Sequence, residues 1–464
     1  MQNNQINPYL SGNYAPVQDE LEIINLKIIG KIPKELHGIY MRNGPNPAFP
    51  PISYTYPLDG DGMIHAIYIA NGKADYRNRY IETKGLLKER KAGKALYGGI
   101  LNLIPMEPEW ADAEDVPVAV KDNPTIHIIR HAGQYLALSE GSPAYQMTAQ
   151  LKTVNKWNPS NTTPLSVCAH TRLDPVNGDL WLVNYSLTPP YLTLYCVNNK
   201  GVVIKKLDIE KNYCSMVHDF VLTKNYAIIF DCPVVLDISQ LMSGGSVISW
   251  RPELGGRVGL ISRDGNKVRW IETEPFFVFH LANAYENDNE IIIDYVRYEK
   301  GDFLTRDIDE KKIFPMLYRA IINVNSGTIK HTQSDDRMVE FPRIKEGRDT
   351  LTHQFIYTPT KTSNMAASKG FNAIIKYDVK NKSSQIHEFG QYTEIGEAVF
   401  SPSETPKSED DGYLMLFIYD STTGQSEFVI LDAMNFKNEP LARIQLPRRV
   451  PHGFHGSWMP GAWE

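Results

Sequence analysis

The chain is poor in the features that would place it outside a reducing interior. It has only four cysteines in 464 residues, Cys168, Cys196, Cys214 and Cys232, and none share C-x-x-C spacing. That excludes a zinc ribbon or a redox pair and predicts four buried thiols behaving as small hydrophobes. No run approaches the roughly 18 consecutive apolar residues of a membrane-crossing helix. Met1 to Glu20 is polar, without the basic start and apolar core of a secretory leader. A cytoplasmic location is therefore expected, with attachment to a membrane surface left open. A basic field is also missing. A net charge of −6 and a pI near 6.1 exclude a general nucleic-acid binder, and nothing in the sequence demands a protein partner. There is no Pro/Ser/Gly-rich linker, charge block or low-complexity tract. At about 150 residues per domain the length would allow three domains. Without linkers, residues 1–464 read better as one large domain.

Strand signal is what the chain has in quantity. Met63 to Ile69, the turn Ala70-Asn-Gly-Lys73 and Ala74 to Tyr80 read as a hairpin with an Asn-Gly turn. Thr125 to Arg130 with Tyr135 to Ser139 reads as another, as do Asp219 to Leu222 with Tyr226 to Phe230. Phe371 to Tyr377 pairs with Ser384 to Glu388, and Tyr413 to Tyr419 with Glu427 to Leu431. Short strands at regular spacing predict an all-β sandwich, barrel or propeller, and a propeller with blades of roughly 50–60 residues would have about seven. Helix signal is confined to Glu82–Ala95, and Pro233–Trp250 reads as an insertion outside the strand pattern.

Four of the twelve histidines head similar local patterns: Cys168-Ala-His170, Met216-Val-His218, Val278-Phe-His280 and Gly453-Phe-His455. A lone histidine beside a strand is usually structural, and that reading is kept for His37, His65, His331 and His387. His127, His131, His353 and His452 have no equivalent hairpin partners. Repetition changes the argument for the set of four. In a closed ring of strands, residues at matching heights converge on the axis, and imidazole is the commonest transition-metal ligand. Four neutral imidazoles suit neither Mg²⁺ nor Ca²⁺, and structural zinc usually brings thiolates. Fe(II) with open positions for O2 is the better chemical choice, with copper and zinc left open.

Ligating imidazoles need a partner on the far nitrogen. Three glutamates stand in apolar or turn surroundings: Glu140 in Leu138-Ser-Glu-Gly141, Glu340 in Val339-Glu-Phe-Pro342, and Glu397 in Gly396-Glu-Ala-Val-Phe400. Each alone would pass for a solvated strand-end carboxylate.

At these residues the chain resembles the carotenoid cleavage oxygenases, non-haem iron enzymes that split conjugated double bonds with O2. The likeness runs from Gly38-Ile-Tyr-Met-Arg-Asn-Gly-Pro-Asn-Pro47 to Gly453-Phe-His-Gly-Ser-Trp458. Between them lie Asp59-Gly-Asp-Gly-Met63, Ala169-His-Thr-Arg-Leu-Asp-Pro175, Met216-Val-His-Asp-Phe220, Glu340-Phe-Pro-Arg343 and Gly396-Glu-Ala-Val-Phe400. The resemblance implies a seven-bladed propeller with helices and loops capping one face, for which segments 82–115 and 233–250 are the candidates. It implies Fe²⁺ on the axis held by His170, His218, His280 and His455, three of them oriented by Glu140, Glu340 and Glu397. It prefers His455 to the neighbouring His452.

Two departures stand out. Relatives carry Asn-Thr-Asn where an ungapped match puts Ile126 in the threonine's place, and they often have His-Trp-Phe-Asp-Gly where this chain has Tyr56-Pro-Leu-Asp-Gly. The stilbene-cleaving branch recognises a phenol through a lysine before the first glutamate and a tyrosine upstream. Ser139 and Ile100 stand there instead. The resemblance therefore implies O2 and an apolar polyene, a carotenoid or apocarotenoid, cleaved to two aldehydes. A hydroxystilbene is the alternative, and a non-catalytic propeller scaffold would have no use for the histidines. The retinoid isomerase branch is disfavoured because its Pro-Asp-Pro-Cys-Lys segment is missing. Such substrates live in bilayers, so peripheral membrane contact through Ile100-Leu-Asn-Leu-Ile104 or Val234–Trp250 is expected.

Overall fold

The computed structural model describes residues 7–54, 59–99, 102–112, 119–161, 164–237, 239–242, 247–302, 314–365 and 370–461. Tyr56, Ile100 and Leu101, which entered the expectations above, lie outside them, as do parts of both insertions.

Seven sheets radiate from a common axis, as the family likeness implied. Their innermost segments are Gly456–Pro460, His127–His131, Thr171–Leu173, Phe220–Leu222, Leu281–Asn287, the bridged stretch 339–343 and Val399–Pro402. Each sheet then meanders outward through antiparallel neighbours. In the third, Thr171–Leu173 is followed by Leu180–Tyr185, Leu192–Val197 and Val203–Ile209. Every sheet presents apolar side chains to both neighbours. Ile39, Ile64, Ile128 and Ala137 fill the gap between the first and second sheets, and Trp181, Leu194, Phe220 and Ile229 that between the third and fourth.

The ring is closed twice. The last strand, Gly456–Pro460, is the innermost member of the first sheet, pairing with Gly38–Pro45. The early strand Ile28–Gly30 is the outermost member of the last sheet, pairing with Ala442–Gln445. Both ends of the chain are thereby hydrogen-bonded into the ring, leaving no wedge at which the sheets could separate.

Local chemistry sets the hairpins. Asn71 and Gly72 take φ of 52° and 70° between Gly62–Ala70 and Lys73–Tyr80, the left-handed pair that a two-residue hairpin turn requires. Ala132 and Gly133 repeat this at 48° and 76°. The expected helix occurs as Lys84–Ala92, with Thr83 Oγ1 accepting from Leu86 N at its start and Gly93 in left-handed conformation at its end. The Pro233–Trp250 stretch is inserted between Tyr226–Asp231 and Gly256–Ser262 of the fourth sheet without joining it, and it carries strands of its own. Val234–Leu236 pairs with Ile248–Trp250 as a separate two-stranded hairpin. All four cysteines are buried and unpaired.

Register fixes which end of the ring these segments occupy. His455 O accepts from Asn43 N, and the adjoining Pro45 pairs with Gly62. Asp61, beside Gly62, is bridged to Glu89 of the helix by buried Lys121, whose ammonium lies 2.5 Å from Glu89. The helix therefore stands at the histidine end of the axis. The Val234–Leu236 hairpin does too, since Met216 N donates to Val234 O two residues before His218.

Candidate metal centre

Each of the four histidines immediately precedes an innermost strand or stands two residues ahead of it. The geometry of the ring carries them to one point. The ring centroid of His170 lies 4.7 Å from that of His218, 4.8 Å from His280 and 4.5 Å from His455. His280 lies 5.2 Å from His218 and 5.0 Å from His455. The facing Nε2 atoms of His170 and His218 are 3.1 Å apart. His170, His218 and His280 offer ligand atoms within 4.8 Å of one another.

The three glutamates each take one of these rings. Glu140 Oε2 lies 3.0 Å from His218 Nδ1, Glu340 Oε2 2.5 Å from His280 Nδ1, and Glu397 Oε1 2.9 Å from His455 Nδ1. In the His280 and His455 hydrogen bonds the carboxylate accepts, so Nδ1 carries the proton and Nε2 presents its lone pair. His218 Nδ1 meets Glu140 as a close contact without hydrogen-bond alignment. His280 Nε2 is buried without a hydrogen-bond partner. His170 has no carboxylate; burial first, then the crowd of neighbouring imidazoles, pushes its pKa well below the usual histidine range. It is therefore neutral. Converging lone pairs at 3.1 Å repel unless a cation lies among them, so this donor set fits a divalent transition metal.

Irregular backbone aims the carboxylates. Glu140 precedes Gly141, at φ +83°, and Glu340 precedes Phe341, a non-glycine residue at φ +49°. Glu397 sits in a bulge. Ile395 pairs with Ile418 and Val399 with Met415, so four steps along one strand face three along the other. Bulges re-aim side chains in this way beside functional sites.

Several residues of the centre were not foreseen. Tyr185 Oη donates to Glu140 and Tyr298 Oη to Glu340, each at 2.7 Å. Glu397 is held instead by Gly456 N at 2.9 Å and by the Arg343 guanidinium at 3.3 Å. Burial would raise its pKa, but Arg343 and His455 outweigh that and hold it well below the usual carboxylate range. Arg172 forks both oxygens of Asp219 at 2.8 and 2.7 Å and donates to the carbonyls of Phe220 and Leu281. Asp219 in turn accepts from Phe220 N and Leu281 N. This hub ties together the three strands that follow His170, His218 and His280. A signal was present in the sequence: opposite charges stand two residues after His170 and one after His218.

The remaining histidines have other work. His452 pairs with Glu394 at 2.6 Å and packs on Tyr14. His353 pairs with buried Asp294, and His65 with the Tyr76 hydroxyl. His127 is buried 5.4 Å from His455, bonded to Ser457 Oγ and Ala169 O. Ile126 is buried and accepts from His455 N through its carbonyl.

Comparison with known proteins adds three findings. Residues 14–460 match the family described as retinal pigment epithelial membrane protein (RPE65). A carotenoid 9,10(9',10')-cleavage dioxygenase of Crocus sativus is 33% identical over 96% of this chain and 88% of its own, and a carotenoid cleavage oxygenase of Mycobacterium tuberculosis is 32% identical over 98% of both. The crystal structure of a lignostilbene dioxygenase from Pseudomonas brassicacearum superposes with a TM-score of 0.91 at 26% identity, covering 98% of this chain and 99% of that one.

Proposed function

Because this chain belongs to the family of the retinal pigment epithelial membrane protein and the carotenoid cleavage oxygenases, we propose that it cleaves a conjugated double bond of a carotenoid or apocarotenoid with O2. The products are two aldehydes. We assign the metal to Fe²⁺, held by His170, His218, His280 and His455, with Glu140, Glu340 and Glu397 orienting the last three. One converged cluster of four imidazoles, three of them paired with a buried carboxylate, carries this reading. A single propeller domain completes it, with the described parts of segments 82–115 and 233–250 at the histidine end.

When bound, the metal supplies a site at which O2 and the polyene can be activated side by side. The protein's own part is positioning. Glu140, Glu340 and Glu397 fix tautomer and ring angle, while Tyr185, Tyr298 and Arg343 stop the carboxylates from turning away. Phe279 packs against His218 at 5.0 Å and Phe341 lies 5.1 Å from His280 and 5.3 Å from His455, so the rim of the centre is aromatic. Such a rim favours an apolar substrate and excludes water.

The stilbene reading has support from the lignostilbene dioxygenase fold. It needs a free polar handle before Glu140. Ser139 is buried, and its hydroxyl is committed to Ser142 Oγ at 2.6 Å while accepting from Ser142 N. A phenol would find no partner there. Iron-loaded protein is expected to convert apocarotenoids to aldehydes and to leave a hydroxystilbene intact. Cleavage of the stilbene alone would reverse the assignment.

Among the described residues no helix is long and apolar enough to cross a membrane. We place the substrate-gathering surface at the histidine end, where Ile52, Leu87 and Val120 are 52%, 49% and 68% exposed around the Lys84–Ala92 helix. Liposome flotation should fall severalfold in a Leu87→Asp, Val120→Asp variant of unchanged activity on detergent-dispersed substrate. Equal flotation would remove this surface from the account.

A further inference from the structure

A cavity of about 370 Å³ runs along the axis and touches His170, His280 and His455. The rest of its lining combines residues that follow the histidines along the innermost strands, among them Arg172, Leu281, Ser457 and Pro460, with the stretch 341–349. Pro460 pairs with Gly38, and Gly38 with Ile69, which is the end of the ring opposite the Lys84–Ala92 helix. The shaft therefore approaches the centre from the far side.

Among apolar residues such as Ile129, Leu173 and Ile344, its walls carry carboxylates at two depths. Asp219 and Glu397, nearest the imidazoles, have side chains only 1% exposed and are saturated with hydrogen bonds. Farther out, the Asp349 and Glu346 side chains are 21% and 39% exposed. Each is held loosely, Asp349 by Arg172 at 3.6 Å and Glu346 by Arg343 at 3.2 Å. Asp219 and Glu397 offset the two guanidiniums; Arg130 and Lys345 also line the shaft, so the pull on a passing cation is local to the Glu346 and Asp349 oxygens. At the inner end waits the unpartnered, buried His280 Nε2.

We propose that this shaft is the route by which the divalent metal reaches and leaves the four histidines, with Glu346 and Asp349 drawing the hydrated ion into its mouth. The inference rests on the metal-centre reading above. An aquated divalent ion pays a heavy desolvation cost in a passage without polar groups, whereas the carboxylates and imidazoles along this shaft let it shed its shell stepwise. Phe341 stands in the shaft wall beside His280, whereas Phe279, packed on His218, faces the other side. Polyene and metal would thus use opposite ends of one axis.

A route acts on barriers and leaves end states alone. Glu346→Gln and the double variant Glu346→Gln, Asp349→Asn should therefore slow Co²⁺ association with apoprotein, followed by its visible absorption in stopped flow. The double variant should be about tenfold slower at low salt, with weaker salt dependence than the parent. Dissociation into excess chelator should slow by the same factor, leaving Kd unchanged. Glu253→Gln, on a remote exposed carboxylate, should do nothing to either rate. An unchanged association rate in both variants would overturn the proposal. So would a changed Kd carried by dissociation alone, since the carboxylates would then act on the bound state. Protein that takes up no Co²⁺ at all would remove the metal centre itself, a separate and recognisable failure. The Glu346→Gln variant alters one half-exposed side chain, so the test does not depend on the double variant folding.

Discussion

Alanine at position 280 is expected to strip the protein of its metal and reduce polyene cleavage to background. A fully liganded metal site of roughly 10–16 kcal/mol spread over four imidazoles assigns about 2.5–4 kcal/mol to each, or roughly 10²- to 10³-fold in affinity. His280 is central to the cluster, touching the other three rings at 4.8, 5.2 and 5.0 Å. Its carboxylate partner should matter less. Glu340→Gln keeps the shape but weakens the acceptor for His280 Nδ1, and the cost expected of such a partner is about 10- to 100-fold. His452→Ala provides the contrast. It lies three residues from His455 and has its own glutamate at 2.6 Å, yet its loss should leave metal content at the parent level. Metal analysis after dialysis, with turnover measured on the same samples, reads all three. Full metal occupancy in His280→Ala, or its loss in His452→Ala, would refute the assignment of the centre.

Arg172→Ala should be the most destabilising single change near the centre, at about 3–5 kcal/mol in the denaturant midpoint. Removing one member of a buried, hydrogen-bonded ion pair leaves the other charge uncompensated. Here that charge is Asp219, whose side chain is 1% exposed, and four hydrogen bonds of the guanidinium go with it. The loss is felt in three sheets at once, because the hub joins the strands after His170, His218 and His280. Metal affinity should fall with stability, since the heights of three ligands are set there. Arg172→Lys keeps the charge without the planar fork and should recover only a minor part. A shift under about 1 kcal/mol in Arg172→Ala would mean that the sheets hold their places without the hub.

The sequence made some parts of this molecule plain for identifiable reasons. Hairpins were legible because alternation and turn residues are local: Asn71-Gly72 announces its own geometry. The histidines were legible because the motif recurs, and the glutamates because they interrupt apolar runs. Tyr185 and Tyr298 were not, since a tyrosine in a strand looks like core until the hydroxyl's partner is known. The pairing of Glu140 with His218, Glu340 with His280 and Glu397 with His455 joins residues 78, 60 and 58 positions apart, beyond the reach of any local pattern. The hairpin within Pro233–Trp250 was missed because its two strands are only three residues each.

Residue identity alone pointed to the metal chemistry: neutral imidazoles in fourfold repetition, near carboxylates that could orient them, suit a transition metal whatever the fold. It also determined the strand-rich architecture, through turn residues acting over two to four positions. Which carboxylate serves which imidazole, how Arg172 levels three strands, and that a shaft bearing carboxylates meets the cluster from behind were decided only by closing the ring. Closure brings the first and last strands together and converts seven separate hairpin registers into one set of heights around an axis, a constraint that no stretch of the chain carries by itself.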